Sequence, residues 1–202
     1  MIETKMTEDT ALPSEKGEHH KAHGADWYKY LHQFIGQPVK GLEIGTWMGV
    51  SAEWMLDLIF THPDSRYNCV DTFEGSDEHR LAGQDCSTLE GETRKRLERF
   101  GRRAVIFKSF SDQALRYMFR DEKFDFIYID GAHDAMNVLR DAVLAFDNLN
   151  VGGIMIWDDY RWEVMEDAID RPKMAIDAFL ECYSPRLEVI GARSQIAIRK
   201  LL

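Results

Sequence analysis

The sequence predicts a three-layer α/β sandwich on a mostly parallel seven-stranded sheet with an antiparallel C-terminal strand. From Val39 onward, short apolar runs alternate with longer amphipathic stretches, which is typical of repeating strand–helix units. FDFIYI and GGIMIW are apolar throughout, as strands covered by helices on both faces must be. The closing RLEVIGARSQIAIRK leaves no room for a helix, so its two strands are expected to pair antiparallel.

The elements follow in order along the chain. DWYKYLHQFIG has apolar residues at helical spacing, with Asp26 as the predicted N-cap and Gly36 as the stop. The strands are predicted at 39–44, 67–70, 104–107, 124–129, 153–157, 187–191 and 195–199. The helices between them are predicted near 50–60, 89–100, 111–120, 135–148 and 172–182.

The 202 residues, 45% of them hydrophobic, suffice for one domain with a sizeable core. Residues 1–24 show little apolar periodicity and are predicted to be a flexible lead-in, which leaves residues 25–202 as the single domain. His19, His20 and His23 lie in this lead-in, where solvated side chains are more usual than a metal cluster.

Composition restricts the partners. The net charge is -10, and no basic cluster is interleaved with aromatic residues, so nucleic acid is not expected as a partner. Three cysteines without C-x-x-C spacing argue against disulfides and a thiolate zinc site, and favour a reducing cytoplasm. Neither a signal-peptide pattern nor a stretch of membrane-span length is present, so export and membrane association are not expected.

The stretch GLEIGTWMGV predicts a ligand-binding turn at the end of the first strand. Ligands of parallel sheets bind beyond the C-terminal strand ends. A dinucleotide site would require G-x-G-x-x-G, but Trp47 occupies the place of the second glycine and would block a pyrophosphate. A nucleoside that carries an amino acid needs no such approach. The candidate cofactor-binding residues here are Glu43, Gly45, Thr46, Trp47, Gly49 and Ser51.

The pattern E-x-G-x-x-x-G followed by Ser resembles the first motif of class I S-adenosylmethionine-dependent methyltransferases, which have a Rossmann-like fold. The resemblance implies that the turn passes the methionine moiety, and that Asp71, with Thr72 beside it, binds the ribose hydroxyls. It also implies that Ser111 and Asp112 contact adenine, although Ser109 stands where related enzymes often have glycine. Asp71 and Ser111 could equally be turn or helix caps, and the whole turn could serve without a ligand.

Two neighbouring strands end in carboxylates, Asp130 after one and Asp158 with Asp159 after the next. Three acids that converge on one edge would repel each other and raise one another's pKa unless a cation neutralised them. A hard divalent ion, Mg2+ above all, is therefore predicted, with these three residues as ligands. Helix capping is the alternative explanation for Asp158 and Asp159.

I-D-G-x-H, with D-D-Y after the next strand, resembles the methyltransferase branch that includes metal-dependent sugar O-methyltransferases of macrolide biosynthesis. The resemblance runs from Val39 to the end. It implies that His133 and Asp130 are catalytic, with His133 as the base that removes a hydroxyl proton. Asp130 is also expected to contact the cofactor. His133 could instead cap or orient the following helix.

The expected activity is Mg2+-assisted O-methylation of a small hydroxylated acceptor, a sugar or secondary metabolite, by a cytoplasmic enzyme. Homo-oligomerisation is compatible with the sequence. Glu74, His79 and Trp162 are candidates to line the acceptor pocket, with solvation or packing as the alternatives. Two other functions stay open, a non-catalytic cofactor-binding or interaction module and, with Trp47 against it, a nicotinamide oxidoreductase.

Overall fold

The chain forms one seven-stranded sheet in a computed structural model that describes residues 18–76, 79 and 83–202. The strands are β1 (Lys40–Ile44), β2 (Arg66–Asp71), β3 (Ala104–Lys108), β4 (Phe124–Ile129), β5 (Leu149–Trp157), β6 (Leu187–Ala192) and β7 (Ile196–Lys200). Their order across the sheet is β3-β2-β1-β4-β5-β7-β6. The order reverses between β1 and β4, which is where a sheet of this kind offers a crevice for ligands.

The helices cover both faces of the sheet. They are α1 (Glu18–Leu31), α2 (Val50–Leu58), α3 (Leu89–Leu97), α4 (Ser111–Gln113), α5 (Ala135–Asn148) and α6 (Pro172–Tyr183). Short 3-10 turns occur at His32–Phe34, Glu98–Arg103, Ala168–Asp170 and Ser184–Arg186. None of the helices in the described part of the chain is both long and apolar enough to cross a bilayer.

The strand pairing confirms the predicted fold class. The five strands β1 to β5 pair in parallel, and β7 pairs antiparallel with β5 and with β6. Each strand except β5 begins and ends within one residue of its predicted bounds. β5 begins earlier, at Leu149, because this residue directly follows the last residue of α5 and pairs with Phe124 of β4.

Two apolar clusters form the core, one on each face of the sheet. One joins β1, β4 and β5 to α5 and α6 and includes Trp157 and Phe179. The other joins the opposite face to α1, α2 and α3 and includes Trp27, Trp54 and Tyr128. Alternate residues of β4 enter different clusters, Ile127 and Ile129 the first, Phe126 and Tyr128 the second. This period of two is the expected signature of a strand covered on both sides.

Besides β5, the first helix and the segment after β3 differ from their predicted bounds. α1 begins at Glu18, so residues 18–24 are helical and Asp26 lies inside the helix rather than at its N-cap, whereas residues 1–17 lie outside the described residues. The helix predicted over 111–120 is only Ser111–Gln113, continued by a π-helical turn over Ala114–Met118. The wider turn brings Phe119 edge-on against Phe107 and Phe124, with ring centroids 5.1 and 5.3 Å away.

Candidate functional site

The turn over residues 45–51 lies at the point where the strand order reverses. Gly45 has φ +83, and a Cβ placed on it would lie 1.9 Å from the carbonyl oxygen of Asp130. The backbone that leaves β1 therefore touches the backbone that leaves β4, which only glycine permits. Gly49, with φ +73, precedes α2 and donates its N–H to the Thr46 carbonyl at 2.8 Å. The tight turn predicted from the glycines is present.

Trp47 ties this turn to three neighbouring segments. Its N–H donates to Asp71 at 2.7 Å, and its carbonyl accepts the Thr93 hydroxyl at 2.6 Å. Its indole stacks on the imidazole of His79, with ring centroids 4.1 Å apart and planes at 18°. Trp47 also has φ 48, which is uncommon for a residue with a side chain. A strained residue held by so many contacts is typical of ligand-binding turns.

Glu43 lies behind the turn and is fully buried. Its two carboxylate oxygens accept the Ser51 hydroxyl at 2.6 Å and the Tyr67 hydroxyl at 2.7 Å. Burial raises the pKa of Glu43 to about 7, although both hydrogen bonds oppose the rise. Glu43 and Ser51 thus join β1, β2 and the start of α2 in this structure. Thr46 is also buried, at 2% exposure. Their predicted contact with a cofactor stays a prediction.

Asp71 at the end of β2 organises the second strand exit. One carboxylate oxygen accepts the N–H of Trp47 and the other accepts the N–H of Phe73, both at 2.7 Å. Thr72 accepts the N–H of Glu74 at 3.2 Å. Each oxygen of a carboxylate has a second lone pair, so these bonds leave Asp71 able to accept ribose hydroxyls. The predicted turn-capping role and the predicted ligand role are compatible.

Ser111 and Asp112 open α4 at the β3 exit and are partly buried. A buried carboxyl, Asp141 on α5, hydrogen-bonds the side chain of Ser111. Burial raises the pKa of Asp141 to about 7, while Ser111 and then Arg140 oppose the rise. Asp141 also borders the β4 exit, since a Cβ on Gly131 would lie 3.9 Å from its carboxylate. It therefore packs between two strand exits that are predicted to surround the cofactor.

Replacing Asp141 by Asn is expected to stabilise the protein more at pH 8 than at pH 5. An unfolded Asp has a pKa near 3.9, so between roughly pH 4 and 7 the folded chain holds a proton that the unfolded chain releases. The stability of the wild type therefore falls as the pH rises through this window, whereas Asn does not titrate. Urea unfolding should show that the difference in unfolding free energy between the two proteins changes by about 2.6 kcal/mol in favour of Asn between pH 5 and pH 8. An unchanged difference would contradict the raised pKa.

Three candidate side chains meet at the exits of β4 and β5. Asp130, His133 and Asp159 each offer one ligand atom, and these atoms lie within 4.8 Å of one another. His133 Nε2 lies 3.0 Å from Asp159 Oδ2. Burial, and next the carboxylates of Asp158 and Asp159, raise the pKa of Asp130 well above its usual range. The predicted crowding of acids at one edge is thus present.

Asp158 and Asp159 point in different directions although they are adjacent. Asp159 adopts φ 56, and its N–H donates to Asp158 Oδ1 at 2.7 Å. Asp158 Oδ2 accepts the hydroxyl of Tyr128. Both oxygens of Asp158 therefore already accept hydrogen bonds within the protein, and its predicted role as a metal ligand stays a prediction. Tyr128 was not predicted from the sequence to be a site residue, although its place two residues before Asp130 puts both on the same side of β4.

The residues predicted to line an acceptor pocket are in three different situations. The Trp162 indole stacks on the His133 imidazole, with centroids 4.5 Å apart and planes at 24°. His79 covers Trp47 and is also hydrogen-bonded to Ser76. Glu74 is exposed. Trp162 is therefore in direct contact with the candidate base, a contact that D-D-Y-R-W in the sequence does not reveal.

Comparison with known proteins gives one family match. Residues 42–160 match a family described as a methyltransferase domain, a range that runs from β1 past the β5 exit and includes every predicted catalytic, cofactor-binding and metal-binding residue. No curated protein matches the chain.

Solved structures with similar folds carry several named activities. An O-methyltransferase from Bacillus cereus, solved with S-adenosylhomocysteine, is 20% identical with a TM-score of 0.63 over 94% of this chain and 84% of that one. MycE methyltransferase of the mycinamycin pathway, solved with Mg, S-adenosylhomocysteine and mycinamycin VI, is 15% identical with a TM-score of 0.60 over 89% and 49%. An rRNA methylase from Streptococcus thermophilus is 14% identical with a TM-score of 0.61 over 93% and 98%. At these identities the likeness shows the shared fold.

Proposed function

The chain belongs to the methyltransferase domain family, and on that premise we propose that it methylates a hydroxyl oxygen of a small acceptor, with S-adenosylmethionine as donor and a divalent cation as helper. The family membership confirms the methyltransferase predicted from the sequence motifs. The observation that carries the finer proposal is the convergence of Asp130, His133 and Asp159 beside the glycine turn.

S-adenosylmethionine would lie across the exits of β1, β2 and β3. The turn over residues 45–51 would receive the methionine end, where the first amides of α2 and its positive dipole end favour a carboxylate. Asp71 would accept the ribose hydroxyls through lone pairs that its bonds to the backbone leave available. Ser111 and Asp112 would border the adenine. This arrangement leaves the sulfonium methyl near Asp130, since the β1 and β4 exits touch.

The donor set at the β4 and β5 exits suits a hard divalent cation. Carboxylate oxygens are the ligands that Mg2+ and Mn2+ prefer, and imidazole is accepted by several divalent metals. Asp130 and Asp159 would hold the ion, with Asp158 as the further predicted ligand. A raised pKa of Asp130 fits a site that lacks positive charge and would gain stability from it. When bound, the cation would lower the pKa of a coordinated hydroxyl.

The methyl transfer itself is an in-line displacement. The acceptor oxygen forms a bond to the methyl carbon as the carbon–sulfur bond breaks, which leaves S-adenosylhomocysteine as product. The hydroxyl proton passes to Nε2 of His133. Because the protein contributes no covalent step, most of its effect would come from the alignment of oxygen, methyl and sulfur.

The hydrogen bonds of His133 determine which form can act as a base. Nε2 of His133 lies 3.0 Å from the carboxylate of Asp159. While no cation neutralises this carboxylate, the tautomer with the proton on Nε2 is favoured. A base needs the opposite tautomer, with the lone pair on Nε2. A cation bound to Asp159 would weaken the hydrogen bond between this carboxylate and the Nε2 proton. Cation binding should therefore favour the tautomer of His133 that can act as a base.

A small molecule is the acceptor that the charge of the protein favours. The net charge of -10 and the carboxylates at the strand exits would repel the phosphates of RNA, whatever acceptor the similarly folded rRNA methylase uses. The stacked pairs Trp162–His133 and Trp47–His79 offer flat apolar faces beside the site. A hydroxylated ring, such as a sugar or an aryl group, would pack against them. Residues 25–202 would form the single domain that carries this activity.

The direct test is calorimetric titration of the metal-free protein with S-adenosylhomocysteine, with and without Mg2+, followed by a screen of hydroxylated acceptors. At 100 times its dissociation constant the ligand should stabilise the fold by about 2.7 kcal/mol, which a thermal melt would detect. Asp71→Ala should weaken this binding, and Asp159→Asn should leave it intact while it weakens Mg2+ binding. A folded wild type that binds no S-adenosylhomocysteine would contradict the proposal and favour an interaction module.

A further inference from the structure

A chain of buried hydrogen bonds connects helix α1 to the candidate catalytic site. The indole Nε1 of Trp27 donates to Gln195 Oε1 at 2.8 Å, and Gln195 Nε2 donates to the Tyr128 hydroxyl at 3.2 Å. The Tyr128 hydroxyl donates to Asp158 Oδ2. Trp27 and Tyr128 are 1% exposed and Gln195 is 8% exposed, so water cannot readily replace these partners.

The direction of each hydrogen bond in this chain follows from its first member. An indole N–H can only donate, so Trp27 requires the oxygen of the Gln195 amide and turns its nitrogen towards Tyr128. The phenol oxygen then accepts, and its own proton must go to Asp158. A carboxylate oxygen that accepts such a hydrogen bond is held in one rotational position. Trp27 thus determines where the proton of Tyr128 points, although the two side chains belong to distant parts of the sequence.

Beyond Asp158 the chain continues into the site. Asp158 Oδ1 accepts the N–H of Asp159, whose φ of 56 is unfavourable without such a partner. Asp159 Oδ2 in turn contacts His133 Nε2 at 3.0 Å. The orientation of the base therefore depends on the turn at Asp159, and the turn depends on a carboxylate that Tyr128 holds.

We propose that Tyr128, Gln195 and Trp27 are positioning residues, which hold Asp158 and through it set the Asp159 turn and His133 for cation binding and proton transfer. The inference rests on the proposed function. This chain of hydrogen bonds joins residues on both sides of residues 42–160, the range of the family match, because Trp27 precedes that range and Gln195 follows it. Removal of a residue that hydrogen-bonds a metal ligand typically lowers the metal affinity by 10-fold to 100-fold.

The test compares two tyrosine variants of the full chain. Tyr128→Phe removes the hydroxyl that faces Asp158. Tyr67→Phe is the matched control, because Tyr67 is equally buried and also donates to a carboxylate, that of Glu43 behind the cofactor turn. We expect Tyr128→Phe to weaken Mn2+ binding at least 10-fold and to change S-adenosylhomocysteine affinity less than 2-fold. Tyr67→Phe should leave Mn2+ binding within 2-fold of the wild type.

A second readout requires no metal. The imidazole 15N chemical shifts of His133, assigned with His133→Ala, should change in metal-free Tyr128→Phe and stay unchanged in Tyr67→Phe. If Tyr128→Phe does not fold, Trp27→Phe tests the same chain from its other end, with the same expected changes. Unchanged Mn2+ affinity together with unchanged His133 shifts would overturn the inference. If the wild type binds no Mn2+, the cation part of the proposed function fails, and the His133 shifts alone decide whether the chain positions the imidazole.

Discussion

Gly45→Ala is expected to destabilise the fold by about 3 kcal/mol and to abolish measurable binding of S-adenosylhomocysteine. A left-handed backbone costs a residue with a side chain about 1–2 kcal/mol, and overpacking adds roughly 1–3 kcal/mol. The added Cβ would lie 1.9 Å from the Asp130 carbonyl oxygen and 2.6 Å from the Gly131 Cα, both backbone atoms that cannot rotate away. The β1 turn and the β4 exit must therefore separate, which displaces Asp130 as well as the turn.

Gly152→Ala is the matched control for this prediction. Gly152 has φ +82, almost the same as Gly45, but an added Cβ would meet nothing within 4 Å. It should show only the backbone cost, about 1–2 kcal/mol, and bind S-adenosylhomocysteine as the wild type does. Urea unfolding and calorimetry separate the two effects. Equal losses of stability in both variants, with binding retained, would mean that the contact between the strand exits is unimportant.

His133→Ala is expected to slow methyl transfer by 10²-fold to 10⁴-fold and to leave S-adenosylhomocysteine binding unchanged. The variant removes the group that takes the hydroxyl proton, while the turn over residues 45–51 is untouched. His62→Ala is the control, because His62 lies before β2 at the opposite edge of the sheet and hydrogen-bonds the backbone of Asp64. Initial rates with an acceptor that the wild type methylates, at saturating donor and Mg2+, provide the measurement.

The metal affinity of His133→Ala separates two roles for the imidazole. If His133 acts as a base and does not bind the cation, the Mn2+ affinity of His133→Ala should lie within about 2-fold of the wild type. If His133 is a ligand of the cation, the Mn2+ affinity of the variant should fall about 10-fold or more, since Nε2 lies in the same group of atoms as the oxygens of Asp130 and Asp159. Retained methyl transfer in His133→Ala would eliminate the base role.

The fold could be predicted from sequence because its central strands are covered on both faces. Such strands are continuous apolar runs, and FDFIYI at β4 begins and ends where the run does. The segment after β3 was less predictable. Ser111 starts a helix as its sequence indicates, but the chain widens into a π-helical turn so that Phe119 can pack between two aromatic rings. That packing is set by partners on other strands, which local propensity does not encode.

The candidate site could be predicted as a group of residues but not as a network. Parallel strands bring their C-terminal ends to one edge, so Asp130 and Asp159 were expected to meet. Which oxygen of each carboxylate faces which donor depends on side-chain directions and on the φ of Asp159. The link from Gln195 to Tyr128 spans 67 residues and that from Trp27 to Gln195 spans 168. No motif marks pairs at such separations, because each partner alone is an ordinary core residue.

The sheet order has a consequence for how the protein is made. β6 pairs only with β7 among the described strands, and β7 lies between β6 and β5. β6 emerges from the ribosome before β7, so β6 cannot pair with the sheet until β7 has also emerged. Gln195 emerges with that strand. The carboxylates at the strand exits are thus synthesised before Gln195, and the hydrogen bonds from Gln195 through Tyr128 to Asp158 can form only after β7 has emerged.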